Sequence, residues 1–199
     1  MFLLGHMGIT LVAAEVLDGA LLRRRRLATQ AIHQNQQYEE AQSSKPRLMS
    51  RIDIRLLLLG SILPDIIDKP LGHIILRSTL NNGRIYCHTL LFAIIISLTA
   101  FYLWKYKHKT WLLPVAFGVF MHLVLDQMWL MSHTLLWPLY GWSFPEGEWD
   151  FYWGEIIHGF GLDPDIYIPE IIGGLLLIWV AILIVLKKHV HIFIRNGRL

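Results

Sequence analysis

Two stretches constrain this chain more than anything else in it. Residues 86 to 104 read YCHTLLFAIIISLTAFYLW, and residues 170 to 186 read EIIGGLLLIWVAILIVL. About 20 apolar residues wound into a helix cross the hydrocarbon core of a bilayer, and both runs are of that length and free of internal charge. A composition 54% hydrophobic over 199 residues departs in the same direction from that of an ordinary water-facing domain. The chain is therefore read as an all-α, polytopic integral membrane protein, with residues 1–199 forming one membrane domain.

Three further apolar segments carry polar residues: 2 to 22 with His6, Glu15 and Asp18; 52 to 68 with Asp53, Arg55, Asp65 and Asp68; and 111 to 131 with His122 and Asp126. The run Arg23 to Arg26 follows the first apolar segment, whereas a secretory signal places its positive charge first, so that segment is read as a retained anchor. A single cysteine, Cys87, excludes an intramolecular disulfide and a cysteine-built zinc cluster.

Orientation follows from the 18 Lys and Arg residues. They fall in blocks at 23–55, 105–109 and 187–198, with Lys69, Arg77 and Arg84 apart, and none lies between Lys109 and Lys187. Residues 146 to 170 hold seven of the fifteen acids. Basic residues collect on the cytoplasmic side. Five crossings then satisfy every block, with the N-terminus outside. Residues 27–51 become a polar cytoplasmic connection, helical at first and then loose around SSKP, and residues 132–169 an aromatic and acidic extracytoplasmic loop whose Trp137, Tyr140, Trp142, Trp149 and Trp153 suit the membrane interface. A net charge of +3, sorted in this way by topology, gives no support for a nucleic-acid partner; membrane lipids are the expected surroundings.

On that topology the intramembrane polar residues meet at one depth. His6 opens the first span, Asp65 and Asp68 close the second, His88 opens the third, and His122 and Asp126 occupy the outward half of the fourth. Spacings of four (His122 and Asp126) and three (Asp65 and Asp68) put each pair on one helix face. Unpaired carboxylates in a low-dielectric medium cost several kcal/mol, so membrane acids face inward and find a partner. No Lys or Arg lies in the third or fourth span, which leaves a divalent cation as the natural partner. Imidazole with carboxylate oxygen suits zinc first, with manganese or iron(II) as alternatives. A metal so held lowers the pKa of its water towards 7 and makes a nucleophile.

The stretches GH at the start, GSILPDIIDKP, GRIYCHTLLF, HLVLD and LLWPL, in that order, resemble the YdjM-like family of inner-membrane metal-dependent hydrolases. The resemblance implies metal ligands at His6, Asp65, His88, His122 and Asp126, with Asp68 and Arg84 at the catalytic centre. Two departures stand out. The first histidine of the family's His-Arg-Gly-x-Thr-His stretch falls on Gly83, so one ligand is missing, with His133 or Glu155 as replacements. The second acid follows Asp65 by three residues rather than two. The His-x-x-x-Asp pair is also similar to that of zinc-dependent phospholipases C, by analogy alone.

The expectation is a membrane-bound hydrolase of the inner (plasma) membrane, with its site on the extracytoplasmic side, attacking an ester or phosphoester of a lipid-like substrate. Arg84 would meet an anionic group of that substrate. Two rivals stand beside it: a metal-ion or proton transporter using the same His and Asp cluster, and a non-catalytic membrane protein in which the cluster only braces the helices.

Overall fold

The computed structural model describes residues 3–33, 52–146, 164–186 and 190–197, and every regular element among them is helical. In order these are α1 (Leu3–His33), α2 (Ile54–Pro70) running into a π-helical turn (Leu71–Ile75), α3 (Leu90–Lys107), α4 (Leu112–Leu125), a 3-10 turn (Met128–Leu130), the short α5 (Ser132–Leu135), α6 (Pro164–Leu186) and α7 (Val190–Asn196).

Among the described residues, three segments are long and apolar enough to cross a membrane: Leu3–Ala20 in α1, Leu90–Lys107, which is all of α3, and Ile166–Leu186 in α6. The remaining two of the five expected crossings rest on α2 and α4. These have 17 and 14 residues, roughly 25 and 21 Å at the helical rise. The outer faces of α3 (Ile94, Ile95, Leu98, Phe101) and α6 (Ile171, Leu175, Ile178, Trp179, Ile182) are exposed apolar surface. Contiguous apolar faces of this kind suit lipid rather than water.

Several boundaries differ from those read off the sequence. Helix α1 continues past residue 22 to His33, into the start of the connection read as 27–51; residues 34–51 lie outside the described residues. Helix α2 does not stop at its acids but carries on through Pro70 into the π turn. Helix α3 starts at Leu90, because the Thr89 side chain accepts the Phe92 amide at 3.1 Å and caps it there. Residues 84–88 are thus an irregular approach rather than the helix's first turn. Helix α4 ends at Leu125 with Asp126 as its C-cap, after which Gln127 turns left-handed (φ 50°). Of the loop read as 132–169, residues 147–163, with Trp149, Trp153 and Glu155, lie outside the described residues.

Helices pair as α1 with α6 and α2 with α4, while α3 packs on α4 and α1 on α2. Small residues permit both close pairings. A Cβ at Gly8 would overlap the Gly173 backbone, and one at Gly118 would fall 2.6 Å from the Leu57 carbonyl oxygen and the Ser61 nitrogen. In lipid, where helices gain little from hiding apolar surface, such backbone approach is a main source of association. Leu11, Ala14, Ile54 and Leu57 form one buried cluster and Ala93, Val119, Leu123 and Met128 another.

At the start of α2, Asp53 accepts the Arg55 amide at 3.0 Å and its guanidinium at 2.7 Å. Arg55 also donates to the Ile194 carbonyl at 2.8 Å, and the Ile54 amide to that of Gly197 at 2.7 Å, which docks α7 against this end of the bundle.

Candidate metal centre

Chain direction gathers the polar residues. The first turn of α1, the last turns of α2, the approach to α3 and the end of α4 all lie at one end of the bundle, and they carry His6, Asp65 with Asp68, His88, and His122 with Asp126. His6, Asp68, His88 and His122 are fully buried, Asp65 is 4% exposed, and the Asp126 side chain is equally enclosed.

Hydrogen bonds assign the tautomers. An ionised carboxylate only accepts, so His88 Nδ1–H donates to Asp68 Oδ2 at 2.7 Å, and His122 Nδ1–H donates to the Ser61 carbonyl at 2.7 Å. Ser61 stands in the turn where Pro64, having no N–H, leaves the Gly60 carbonyl without its helical donor. As neutral imidazoles both rings present a bare Nε2 lone pair, and the two Nε2 atoms face each other at 3.1 Å. Asp65 Oδ1 lies 3.5 Å from His88 Nε2 and 3.8 Å from His122 Nε2, and Asp126 Oδ2 lies 3.8 Å from His88 Nε2.

Lone pairs aimed at one another repel. Asp65 Oδ1 and both ring nitrogens of His6 are buried without a hydrogen-bond partner, although His6 Nε2 approaches Asp126 Oδ1 to 3.1 Å. Orphaned buried polar atoms are costly, about 1–3 kcal/mol each and more when charged, and a cation bound by the acceptors among them removes their share of the cost. Two triads, His6–His122–Asp126 and Asp65–His88–His122, each place their ligand atoms within 4.8 Å of one another and can hold a metal ion. They share His122, against which the His6 ring stacks at 4.2 Å. The donor set, imidazole nitrogen with carboxylate oxygen, fits a divalent first-row metal.

Asp68 is turned away from the converging atoms. It accepts from the backbone amides of Ile85 (3.0 Å), Cys87 (2.9 Å) and His88 (3.1 Å) as well as from the His88 ring. It therefore ties the irregular approach of α3 to α2 and sets the ring that it orients, as carboxylates behind metal-ligating histidines do. Arg84 Nε donates to Asp126 Oδ2 at 2.8 Å. Gly83, where the family's additional histidine falls, lies against the His73 ring. His133 is exposed and packs beside Tyr140 rather than joining the cluster. Glu155 is outside the described residues.

Sequence reasoning passed over three participants. Ser61 offers only its backbone carbonyl, which no side-chain pattern reveals. Lys69 pairs with Asp65 Oδ2 at 2.7 Å; it stands four residues after that acid, a spacing that was open to view. Glu170, counted only as an acid of the outer loop, reaches from α6 to the start of α1, where it accepts the Leu4 and Gly5 amides at 3.0 Å each. A helix N-terminus has unsatisfied donors and a positive dipole end, and a buried carboxylate satisfies both. His6 follows directly. Glu170→Gln, which turns a donor towards one of these amides, is expected to cost about 1–3 kcal/mol in unfolding experiments and to weaken metal retention through His6.

No curated protein and no solved structure matches the chain significantly. The sequence profile described as YdjM inner membrane protein matches residues 1–193, and the chain belongs to that family.

Proposed function

We propose that this protein is a membrane-bound, metal-dependent hydrolase, crossing the inner membrane five times with its centre on the extracytoplasmic side and acting on an ester or phosphoester of a lipid-like substrate. The observation that carries the reading is the convergence of candidate ligand atoms on His88, His122, Asp65 and Asp126, facing one another at the end of the bundle. Zinc is the ion this donor set suits best. When bound, such an ion supplies Lewis acidity and brings the pKa of water towards 7.

The chain's own residues supply the rest. Asp68 and the Ser61 carbonyl hold the two rings in the tautomer that leaves Nε2 bare. His6, stacked on His122, closes the α1 side. Arg84, half-exposed above Asp126, stands where negative charge would develop on a substrate. Exposed apolar side chains at this end, Ile74, Ile75, Trp129, Leu130, Leu139 and Trp142, favour a substrate delivered from the lipid.

The transporter reading calls for a midplane site reached from both sides. Every ligand here comes from the same end of the bundle, which supports the hydrolase. Zinc-loaded protein in detergent or nanodiscs is expected to hydrolyse at least one member of a panel of lipid and soluble phosphoesters, with the activity abolished by chelation and by Asp65→Asn. Full metal loading without turnover of any ester or phosphoester would remove the enzymatic assignment.

A further inference from the structure

We infer that Lys69 and Arg84 form an anion-binding rim on the open side of the centre, shaped for a terminal phosphate group, that is, a phosphomonoester. This deepens the hydrolase reading and rests on it for the reaction, while the binding stands on separate observations.

Each cation grips a carboxylate of the cluster by one oxygen and also reaches the surface. Lys69 Nζ lies 2.7 Å from Asp65 Oδ2 and Arg84 Nε 2.8 Å from Asp126 Oδ2; the two basic side chains are 25% and 38% exposed, against 5% and 2% for their partners. On Asp65 the other oxygen points at His88 and His122. Lys69 therefore stands one carboxylate away from the converging ligand atoms, whereas Arg84 holds the Asp126 oxygen that faces His88 Nε2, and both cations remain partly open to the surface.

Gly83 brings them to one lip. A Cβ there would fall 2.6 Å from His73 Nε2 and 3.2 Å from Lys69 Cγ, so the lysine stem and the His73 ring lie across the backbone of the residue that precedes Arg84. Arg84 is pre-set: its amide donates to Asn82 Oδ1 at 2.9 Å, and Asn82 in turn donates to the Pro145 carbonyl at 2.9 Å.

Charge decides the sign of the ligand. Asp65, Asp68 and Asp126 contribute three negative charges and Lys69 and Arg84 two positive ones, leaving one negative; a divalent ion turns this into one positive. An anion is thus favoured when the metal is present and disfavoured without it, and the two must bind with reciprocal coupling. Shape decides which anion. A point-charge ammonium and a planar guanidinium fork are both phosphate partners. A terminal phosphate has three unesterified oxygens, one for the ion and one for each cation, whereas a diester has two.

The test is calorimetric titration of zinc-loaded protein with inorganic phosphate, methyl phosphate and dimethyl phosphate, with zinc content measured for every sample. A second arm uses nanodiscs of phosphatidylcholine with or without phosphatidic acid. Phosphate and methyl phosphate are expected to bind and dimethyl phosphate to bind far more weakly. Lys69→Met and Arg84→Met should each weaken phosphate by about tenfold or more, and chelation should weaken it in the wild type. Phosphatidic acid that competes with free phosphate identifies a lipid as the source of the monoester; absence of competition identifies a soluble one. Should either Met variant lose its zinc, Gly83→Leu decides, since it displaces the Lys69 stem and leaves both charges and both carboxylates in place. No phosphate binding by the zinc-loaded wild type, equal binding of dimethyl phosphate, or affinity unchanged in the zinc-retaining variants would overturn the rim. A wild type that takes up no zinc would instead sink the hydrolase reading; phosphate bound by that metal-free protein and lost in the two Met variants would still support the rim, and no phosphate bound would overturn it.

Discussion

Replacing His122 with alanine is expected to empty the centre of metal. His122 is the one ligand common to both candidate triads, its Nε2 faces that of His88 at 3.1 Å, and its ring supports that of His6. Zinc content of the purified variant should fall to background. The thermal midpoint of the wild type should rise with added zinc, because a ligand held only by the folded state stabilises it by about 4 kcal/mol at a thousandfold excess over Kd. The midpoint of the variant should not respond. Asp65→Asn separates ligand loss from cavity formation, since it keeps the volume and the Lys69 neighbour while removing the charge behind Asp65 Oδ1. Both variants should lose metal, and a variant that retained it would show that these atoms are not ligands.

The second large effect lies at the crossing of α2 and α4. A Cβ at Gly118 would meet the Leu57 carbonyl oxygen, the Ser61 nitrogen and the Gly60 carbonyl carbon, all backbone atoms that cannot swing aside. Gly118→Val therefore has to push the helices apart, which is expected to cost about 3 kcal/mol or more and to reduce the yield of monodisperse protein sharply. The same shift moves Ser61 away from His122, so metal retention should fall with stability. Gly19→Ala is the matched control: nothing lies within 4 Å of a Cβ there, and in a helix the change is expected to stabilise by up to about 1 kcal/mol. Unfolding of the three proteins in one detergent compares them directly.

Much of this was legible in the sequence because lipid imposes simple rules. Residues 90–104 and 171–186 hold no charged side chain, and a backbone in hydrocarbon must satisfy itself as a helix. Asp65, His122 and Asp126 stood out because acids and histidines within such runs need a reason to be there. What escaped depends on contacts remote in sequence. The true start of α3 is set by Thr89 and by Asp68 holding the amides of Ile85, Cys87 and His88 some 17 to 20 residues on. Hydropathy continues smoothly across that boundary and gives no sign of it. Arg84 consequently meets Asp126 from an irregular segment that precedes α3. Glu170 was hidden for another reason. Charges near helix ends serve first as topology markers, and nothing local distinguishes an acid in water from one that caps a distant helix.

The irregular segment also explains why Asp68 matters although it does not face the converging atoms. Four donors, the amides of Ile85, Cys87 and His88 and the His88 ring, depend on its carboxylate. Without it the approach to α3 would have no fixed path, and the His88 tautomer would be undefined.

The most direct test of the central claim is elemental analysis combined with metal-edge X-ray absorption on wild-type protein purified without chelator. At least one divalent ion per chain is expected, with a first shell of nitrogen and oxygen at about 2.0–2.2 Å if it is zinc, no sulfur, and a histidine signature that disappears in His122→Ala. A folded wild-type protein that carries no metal, takes up none on reconstitution and melts at the same temperature with or without chelator would contradict the claim, and would mean that the His and Asp cluster is held together by protons alone.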